Sequence, residues 1–262
     1  MGDFLEAQAR LAMPLDTRAG YSEIAPFYDV ALGRDSFADA RRAFEILARG
    51  HRIRFRTAAD IGCGTGLFAC YLSQRWGARV FGVDRSRSML DVARCNCRDE
   101  RVCFLEQDIR HLRLPEPVDL VTANFDVVNH LVGYSDLVQM LRGAAAALRR
   151  GGHIVFDAIT DCAPLGGLRV FQKQTRLPRR RIVQTIRWDP DRRLLQGTIV
   201  HFLRERPAPV VETYLERGYA PEELGGALRA AGLVTRGVHD AITLEPAAHC
   251  VPRLRIVARK EH

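Results

Sequence analysis

Asp60-Ile61-Gly62-Cys63-Gly64-Thr65-Gly66 decides the fold of this chain. It joins the end of a short apolar run to an acidic residue and three alternating glycines, just ahead of a helix-like segment from about Leu67. Glycine lets the backbone turn sharply and approach a bound molecule, and a helix start offers unpaired N–H groups. A strand, loop and helix of this kind form a cradle for a nucleotide-like ligand. The dinucleotide fingerprint needs a third glycine three positions after the second, so that helix and strand pack closely around a pyrophosphate. Leu67 stands at that position, which argues for a different nucleotide.

Further stretches follow in order. Val80-Phe81-Gly82-Val83-Asp84 reads as the next strand. It ends in a carboxylate roughly 20 residues after the loop, where such a group can accept both ribose hydroxyls. Arg85-Ser86-Arg87-Ser88-Met89-Leu90 comes next, then Phe104-Leu105-Glu106-Gln107-Asp108-Ile109. Val118 to Asn124 forms a fourth strand, followed by Phe125-Asp126-Val127-Val128-Asn129-His130-Leu131. In this order and spacing over residues 58–131, the stretches resemble the class I S-adenosylmethionine-dependent methyltransferases, with their G-x-G-x-G loop and G-x-D-x-S-x-x-M-L segment. The resemblance implies S-adenosyl-L-methionine as cofactor. It assigns Asp60, Gly62, Cys63, Gly64 and Gly66 to the cradle, Asp84 to the ribose, and Arg85 and Met89 to its surroundings. Asp108 would then face the adenine amine with Ile109 over the ring, and Asn124 and Phe125 would lie beside the methionine portion. The likeness covers nearly the whole chain, strongly in the core and loosely at the cap and lid.

The strand and helix signals give the architecture. Residues 1–57 read as an N-terminal helical cap, with Phe37, Ala40, Phe44 and Leu47 at helix spacing and Gly50 as its stop. Residues 58–164 form the cofactor-binding core. Strands near 57–61, 79–83, 102–106, 118–123 and 152–157 alternate there with helices near 66–76, 86–98 and 136–149. Residues 165–217 break the alternation. Arg181 to Trp188, Leu194 to Arg204 and Val210 to Leu215 are β-rich and read as an antiparallel lid. Residues 218–262 return to the core through a helix led by Pro221 and strands near 234–240 and 253–259. The expected fold is α/β, a Rossmann-like doubly wound sheet of seven mostly parallel strands with a helical cap and a β-rich lid insertion.

Composition narrows the partners. A chain of 262 residues can bury a full core, and one α/β domain with additions is expected rather than two independent ones. No apolar run is long enough to cross a bilayer, and Asp3, Glu6, Arg10, Asp16 and Arg18 interrupt any leader pattern, so a cytoplasmic protein off the membrane is expected. Seven cysteines, without a C-x-x-C pair, argue against a disulfide framework and for a reducing compartment. Cys95, Cys97, Cys103 and His111 match no zinc spacing, so no metal is expected. The net charge is +8, yet only Lys173 and Lys260 are lysines. Arg176, Arg179, Arg180, Arg181 and Arg187 form the densest basic cluster. Such a cluster can bind phosphates, although a solvated hairpin face is the plainer reading. Aromatic residues around it are sparse, and Asn124-Phe125-Asp126 replaces the N-P-P-Y-like motif of base-amine methyltransferases, so nucleic acid is not the expected substrate. A free edge of the lid could pair two copies into a homodimer.

Methyl transfer from a sulfonium is an in-line displacement, so alignment and exclusion of water matter most, with a base where the acceptor loses a proton. His130 could take that proton or orient the acceptor, and Asn124 should lie near the reacting centre. Tyr21 and Tyr28 could close over the cofactor with their rings towards the cation, Tyr28 beside the chemistry. His201, Glu212 and Arg217 are candidates for an acceptor pocket, and Asp157 could reach the site from a strand end. The Tyr21-to-Asp29 stretch together with the β-rich insert most resembles small-molecule N-methyltransferases, including those of amino acids and natural products. The expected acceptor is a small amine or hydroxyl compound. Two alternatives stay open: attack on the cofactor's Cγ carbon with release of methylthioadenosine, as in azetidine-2-carboxylate formation, and a non-catalytic protein that binds cofactor and partner.

Overall fold

The structure, a computed structural model, describes residues 16–162, 167–247 and 251–261. It opens with a short strand, β1 (Asp16–Ala19), a 3-10 turn (Ala25–Phe27), a π-helical turn (Asp29–Gly33) and helix α1 (Arg34–Gly50). The core follows as β2 (Thr57–Ile61), α2 (Leu67–Trp76), β3 (Arg79–Asp84), α3 (Arg87–Asn96), β4 (Val102–Glu106), β5 (Val118–Ala123), α4 (Tyr134–Ala147) and β6 (Leu148–Ile159). The lid contributes β7 (Val170–Leu177), β8 (Arg180–Asp189), β9 (Leu194–Leu203) and β10 (Val210–Arg217). Helix α5 (Pro221–Ala230) and strands β11 (Leu233–Asp240) and β12 (Arg253–Lys260) close the chain.

Seven strands form the main sheet in the order β11-β12-β6-β5-β2-β3-β4. β12 runs antiparallel to both neighbours, β11 and β6, and the other six strands all run in one direction. The order reverses at β2, between β3 and β5, and ligands of open α/β sheets bind beyond the strand ends at such a point. Alternation along each strand divides the core. Val80, Leu120 and Val155 pack with Phe44, Leu47, Phe68 and Leu72 of α1 and α2. Phe81, Val121 and Phe156 pack with Leu137, Met140 and Leu228 of α4 and α5. Both faces are covered, so the central strands carry near-continuous apolar runs.

The second sheet has the order β1-β10-β9-β8-β7. It is antiparallel apart from β1, which pairs parallel with β10 through Asp16 opposite Val210. The N-terminal part is therefore not wholly helical as expected, and the expectation for residues 1–15 lies outside the described residues. Residues 20–33, here called the strap, lie between the two sheets. Ile24, Ala25 and Ala31 pack there against Met89 of α3 and Ile182 and Ile199 of the lid. Asn129 clips the lid to the core: its amide nitrogen donates to Ile159 O (2.8 Å) and Arg217 O (2.6 Å), and its oxygen accepts from Ile159 N (2.9 Å). Cys162 is disulfide-bonded, which the expectation of a thiol-only protein did not include, while Cys63, Cys70, Cys95, Cys97 and Cys103 are free. Among the described residues no helix is long and apolar enough to cross a membrane, and no group of three metal-ligating side chains occurs.

Candidate active site

A cavity of about 590 Å³ opens beyond the carboxyl ends of the parallel strands, with the strap over it. Its floor is the glycine loop. Gly62 has φ +66°, and a Cβ there would stand 2.4 Å from a Val127 methyl, so only glycine brings this turn against the segment after β5. Gly66, at φ +78°, marks a second close approach, since a Cβ would lie 2.8 Å from Ala93 and from the Phe104 ring. Gly66 is thus a packing glycine behind the wall and does not line the cavity, contrary to its assignment to the cradle surface.

Asp60 also stands behind the wall. It is 2% exposed and accepts from Thr122 Oγ1 at 2.7 Å and from the Ala69 backbone N–H. The carboxyl thereby braces the start of α2 from β2. Burial pushes its pKa up to about 7, although the Thr122 bond opposes the shift.

Asp84 ends β3 at the cavity. Its Oδ2 accepts from Gly64 N (2.9 Å) and its Oδ1 from Ser86 N (2.8 Å), so loop and carboxyl fix each other. Burial raises its pKa. Cys63, Gly64, Arg85, Met89, Asp108, Ile109, Asn124 and Phe125 line the same cavity. Asp108 is held by Arg110, whose Nε lies 3.0 Å from both carboxyl oxygens, and this side-chain bond lowers its pKa to about 2. Asn124 is 4% exposed, and its Nδ2 is a buried donor with no partner among the described residues. Phe125 and Asp126 both adopt positive φ, +65° and +62°, an uncommon pair outside glycine that turns the chain sharply off β5.

The mouth is aromatic. Tyr21 and Tyr28 meet edge to face at 6.0 Å, and Tyr21 stacks on Tyr214 at 5.3 Å. Burial raises the pKa of both Tyr21 and Tyr28. His130 closes a 3-10 turn (Val127–His130) and meets the Tyr21 hydroxyl through Nε2 at 3.2 Å. Its Nδ1 lies 3.3 Å from Leu215 O, which can only accept, so Nδ1 carries the hydrogen and Nε2 the lone pair. Burial pushes its pKa down to about 4, so the imidazole is neutral at ordinary pH. Glu216 Oε1 lies 3.4 Å from the same Nε2.

Other residues stand elsewhere than expected. His201 and Glu212 are wholly buried and do not border this cavity. Glu212 accepts from Glu23 N (2.8 Å), Ile24 N (2.9 Å) and His201 Nε2 (2.8 Å), which fastens the strap to the lid. Arg217 pairs with Glu223 at 2.6 Å and lies over the Tyr219 ring. Asp157 is 1% exposed and bound to Arg253 at 2.7 Å. Sequence reasoning missed Asp29 and Thr65. Thr65 Oγ1 donates to Asp29 Oδ1 at 2.6 Å, and Asn96 donates to Asp29 Oδ2 at 3.1 Å, so strap and glycine loop are joined at the cavity rim. Both residues lay within quoted motifs, but nothing in the sequence paired them. Arg110 and Asp136, also on the wall, gave no signal.

Residues 58–152 match the family described as a methyltransferase domain. A trans-aconitate 2-methyltransferase of Escherichia coli O1:K1 / APEC is 41% identical over 86 residues, which cover 32% of this chain and 33% of that protein. A cypemycin N-terminal methyltransferase of Streptomyces sp is 36% identical over 108 residues, covering 41% and 43%. The chain thus spans less than half the length of these curated relatives. Across the whole fold, the crystal structure of an S-adenosylmethionine-dependent methyltransferase from Clostridium acetobutylicum ATCC 824 superposes with a TM-score of 0.76 at 20% identity, covering 92% of this chain and 99% of that one. Residues 58–152 are thus a methyltransferase domain, and the strand order around them is that of the S-adenosylmethionine-dependent methyltransferase fold.

Proposed function

We propose that this protein is an S-adenosyl-L-methionine-dependent methyltransferase acting on a small molecule, an amine or hydroxyl compound of natural-product or amino-acid type. One observation carries the reading. A single covered cavity brings the glycine loop, the Asp84 carboxyl at the switch point and a neutral imidazole at the mouth to the same space. Its volume of about 590 Å³ suits a nucleoside-sized ligand with a small second molecule.

The residues present fit the cofactor. Asp84 would hold the ribose hydroxyls, and Asp108 with Ile109 the adenine. The orphaned Asn124 amide and the backbone at Gly62 and Gly64 would hold the amino-acid end. When bound, the cofactor supplies an electrophilic methyl group on a positively charged sulfur. Tyr21 and Tyr28 exclude water at the mouth and offer ring faces suited to a cation. His130 has the lone pair on Nε2 and can accept the acceptor's proton directly or through the Tyr21 hydroxyl. Asp60, Gly66 and Glu212 act through position alone.

The test is purified protein incubated with S-adenosylmethionine alone and with a panel of small amines and hydroxylated metabolites, followed by mass spectrometry. S-adenosylhomocysteine formed only with an acceptor supports the reading and identifies the acceptor class. Methylthioadenosine formed without an acceptor overturns it, as does binding of the cofactor with no turnover across the panel.

A further inference from the structure

Five arginines surround a second cavity, at the tip of the lid sheet. Arg176, Arg179, Arg180, Arg181 and Arg204 line a hollow of about 320 Å³ with Phe202, and none of them borders the larger cavity. The strand register forces the crowding. Arg176 on β7 stands directly opposite Arg181 on β8, and Arg181 stands opposite Phe202 on β9. Arg204 joins them because its backbone N–H donates to Arg179 O at 3.1 Å.

Like charges directly opposite each other on neighbouring strands destabilise a sheet. Some arginines elsewhere are paired with acids, as Arg101 is with Asp99, Arg110 with Asp108 and Arg253 with Asp157. Around the hollow, Glu205 on Arg179 is the one carboxylate in an ion pair among the described residues. Arg176, Arg181 and Arg204 have none there. Arg181 lies over the Phe202 ring at 4.0 Å, which uses the ring face that a nucleobase would need for stacking. Arg180 is anchored. It lies 4.2 Å over the Phe27 ring and donates from Nη1 to Glu23 O at 3.3 Å, which connects the hollow to the strap.

The guanidinium forks of Arg176, Arg181 and Arg204, without an acidic partner among the described residues, match the oxygens of phosphate, which each fork can bind through two hydrogen bonds. We propose that this hollow is a binding site for a diphosphate-bearing small molecule, gripped by Arg176, Arg181 and Arg204. The inference stands apart from the methyltransferase reading, since it uses none of the same residues.

The probe is inorganic pyrophosphate, titrated calorimetrically into the full chain at physiological salt. The comparison is with Arg176→Gln/Arg181→Gln and with Arg187→Gln, which lies on the same strand outside the hollow. One saturable site is expected, weakened at least about tenfold in the double variant and less than about twofold in the control. The double variant should unfold at the same temperature as the wild type or higher, because it relieves a like-charge pair, so misfolding cannot imitate the loss. No saturable binding overturns the proposal, and so does an equal loss in the control, which would mark general charge attraction. A second arm uses a twelve-nucleotide single strand. Displacement of pyrophosphate by the strand, with tighter binding lost in the same double variant, would make the site a nucleic-acid contact and overturn it too.

Discussion

Replacing Glu212 by alanine should detach the strap, and the structure fixes how much that costs. The side chain is wholly buried, and its two oxygens accept from Glu23 N, Ile24 N and His201 Nε2 within 2.9 Å. Arg180 Nη1 lies 3.3 Å from His201 Nδ1 and can only donate, so the imidazole hydrogen sits on Nε2 and points at Glu212. Removing the carboxylate leaves two backbone donors and one imidazole donor buried without partners. Breaking a buried hydrogen-bonded pair from one side costs about 3–5 kcal/mol. For a chain of this size that lowers the unfolding temperature by on the order of 10 °C. The decisive assay is amide hydrogen exchange. Glu23 and Ile24 should lose protection in Glu212→Ala far beyond the global change, and affinity for S-adenosylmethionine should fall as Tyr21 and Tyr28 lose their support. The reasoning is refuted if both amides keep wild-type protection relative to the global unfolding free energy. Unchanged amides with an altered acceptor range would instead restore Glu212 to the acceptor wall.

Three further outcomes are expected. Asp84→Asn should weaken S-adenosylmethionine binding by about 10- to 100-fold in calorimetry, the range for losing charge-assisted bonds to two hydroxyls; a loss below about threefold would remove Asp84 from the ribose role. Gly62→Ala forces a Cβ to 2.4 Å from Val127 at a φ of +66°, so denaturant unfolding should show a loss of about 2–4 kcal/mol, partly recovered in Gly62→Ala/Val127→Ala. No recovery would mean that the backbone conformation, not the clash, sets the cost. Asp60 has a folded pKa raised to about 7, so the folded state binds the extra proton between about pH 4 and 7, and stability falls as pH rises through that window. Asn mimics the protonated carboxyl, so the advantage of Asp60→Asn over wild type in unfolding midpoint should grow from pH 4 to pH 7, and a constant difference would show that Asp60 ionises normally.

The core was legible because its signals are local. The glycine loop, the β3 strand with its terminal Asp84 and the proline-led start of α5 each combine composition with spacing, and the structure forms them within a few residues of the expected bounds. Long-range closure was not legible. β1 has four residues, and its partner β10 lies almost two hundred positions away, so no periodicity marks it. His201 and Glu212 share one face of the lid, His201 opposite Val210 and Glu212 opposite Ile199, but alternation along a strand says nothing of what covers a face. The strap covers it, which turns two apparent pocket residues into a buried clasp. Asp60 was misassigned for a related reason: an acidic residue ahead of a glycine loop can face the ligand or the helix behind it, and the Thr122 and Ala69 contacts that decide between them come from other elements.

The same contrast explains the mouth of the cavity, where the order of burial sets the direction of every hydrogen bond. Leu215 O fixes the hydrogen of His130 on Nδ1, and burial, with Arg85 acting in the same sense, keeps the ring neutral. Burial, reinforced by Glu216, keeps the Tyr21 phenol protonated, so Tyr21 donates and His130 Nε2 accepts. Burial and the nearby Asp126 push the Glu216 carboxyl well above the usual range as well, and it faces the same nitrogen at 3.4 Å. A neutral imidazole nitrogen facing a phenol and a carboxyl whose pKa values are both raised suits a dry site, because burial disfavours the charged form of each. Water admitted to the mouth would remove the desolvation that holds all three in that state, restoring imidazole and carboxyl to their ordinary ranges. The strap therefore belongs to the desolvated surroundings of His130, and Glu212, which touches neither the glycine loop nor His130, fastens it there.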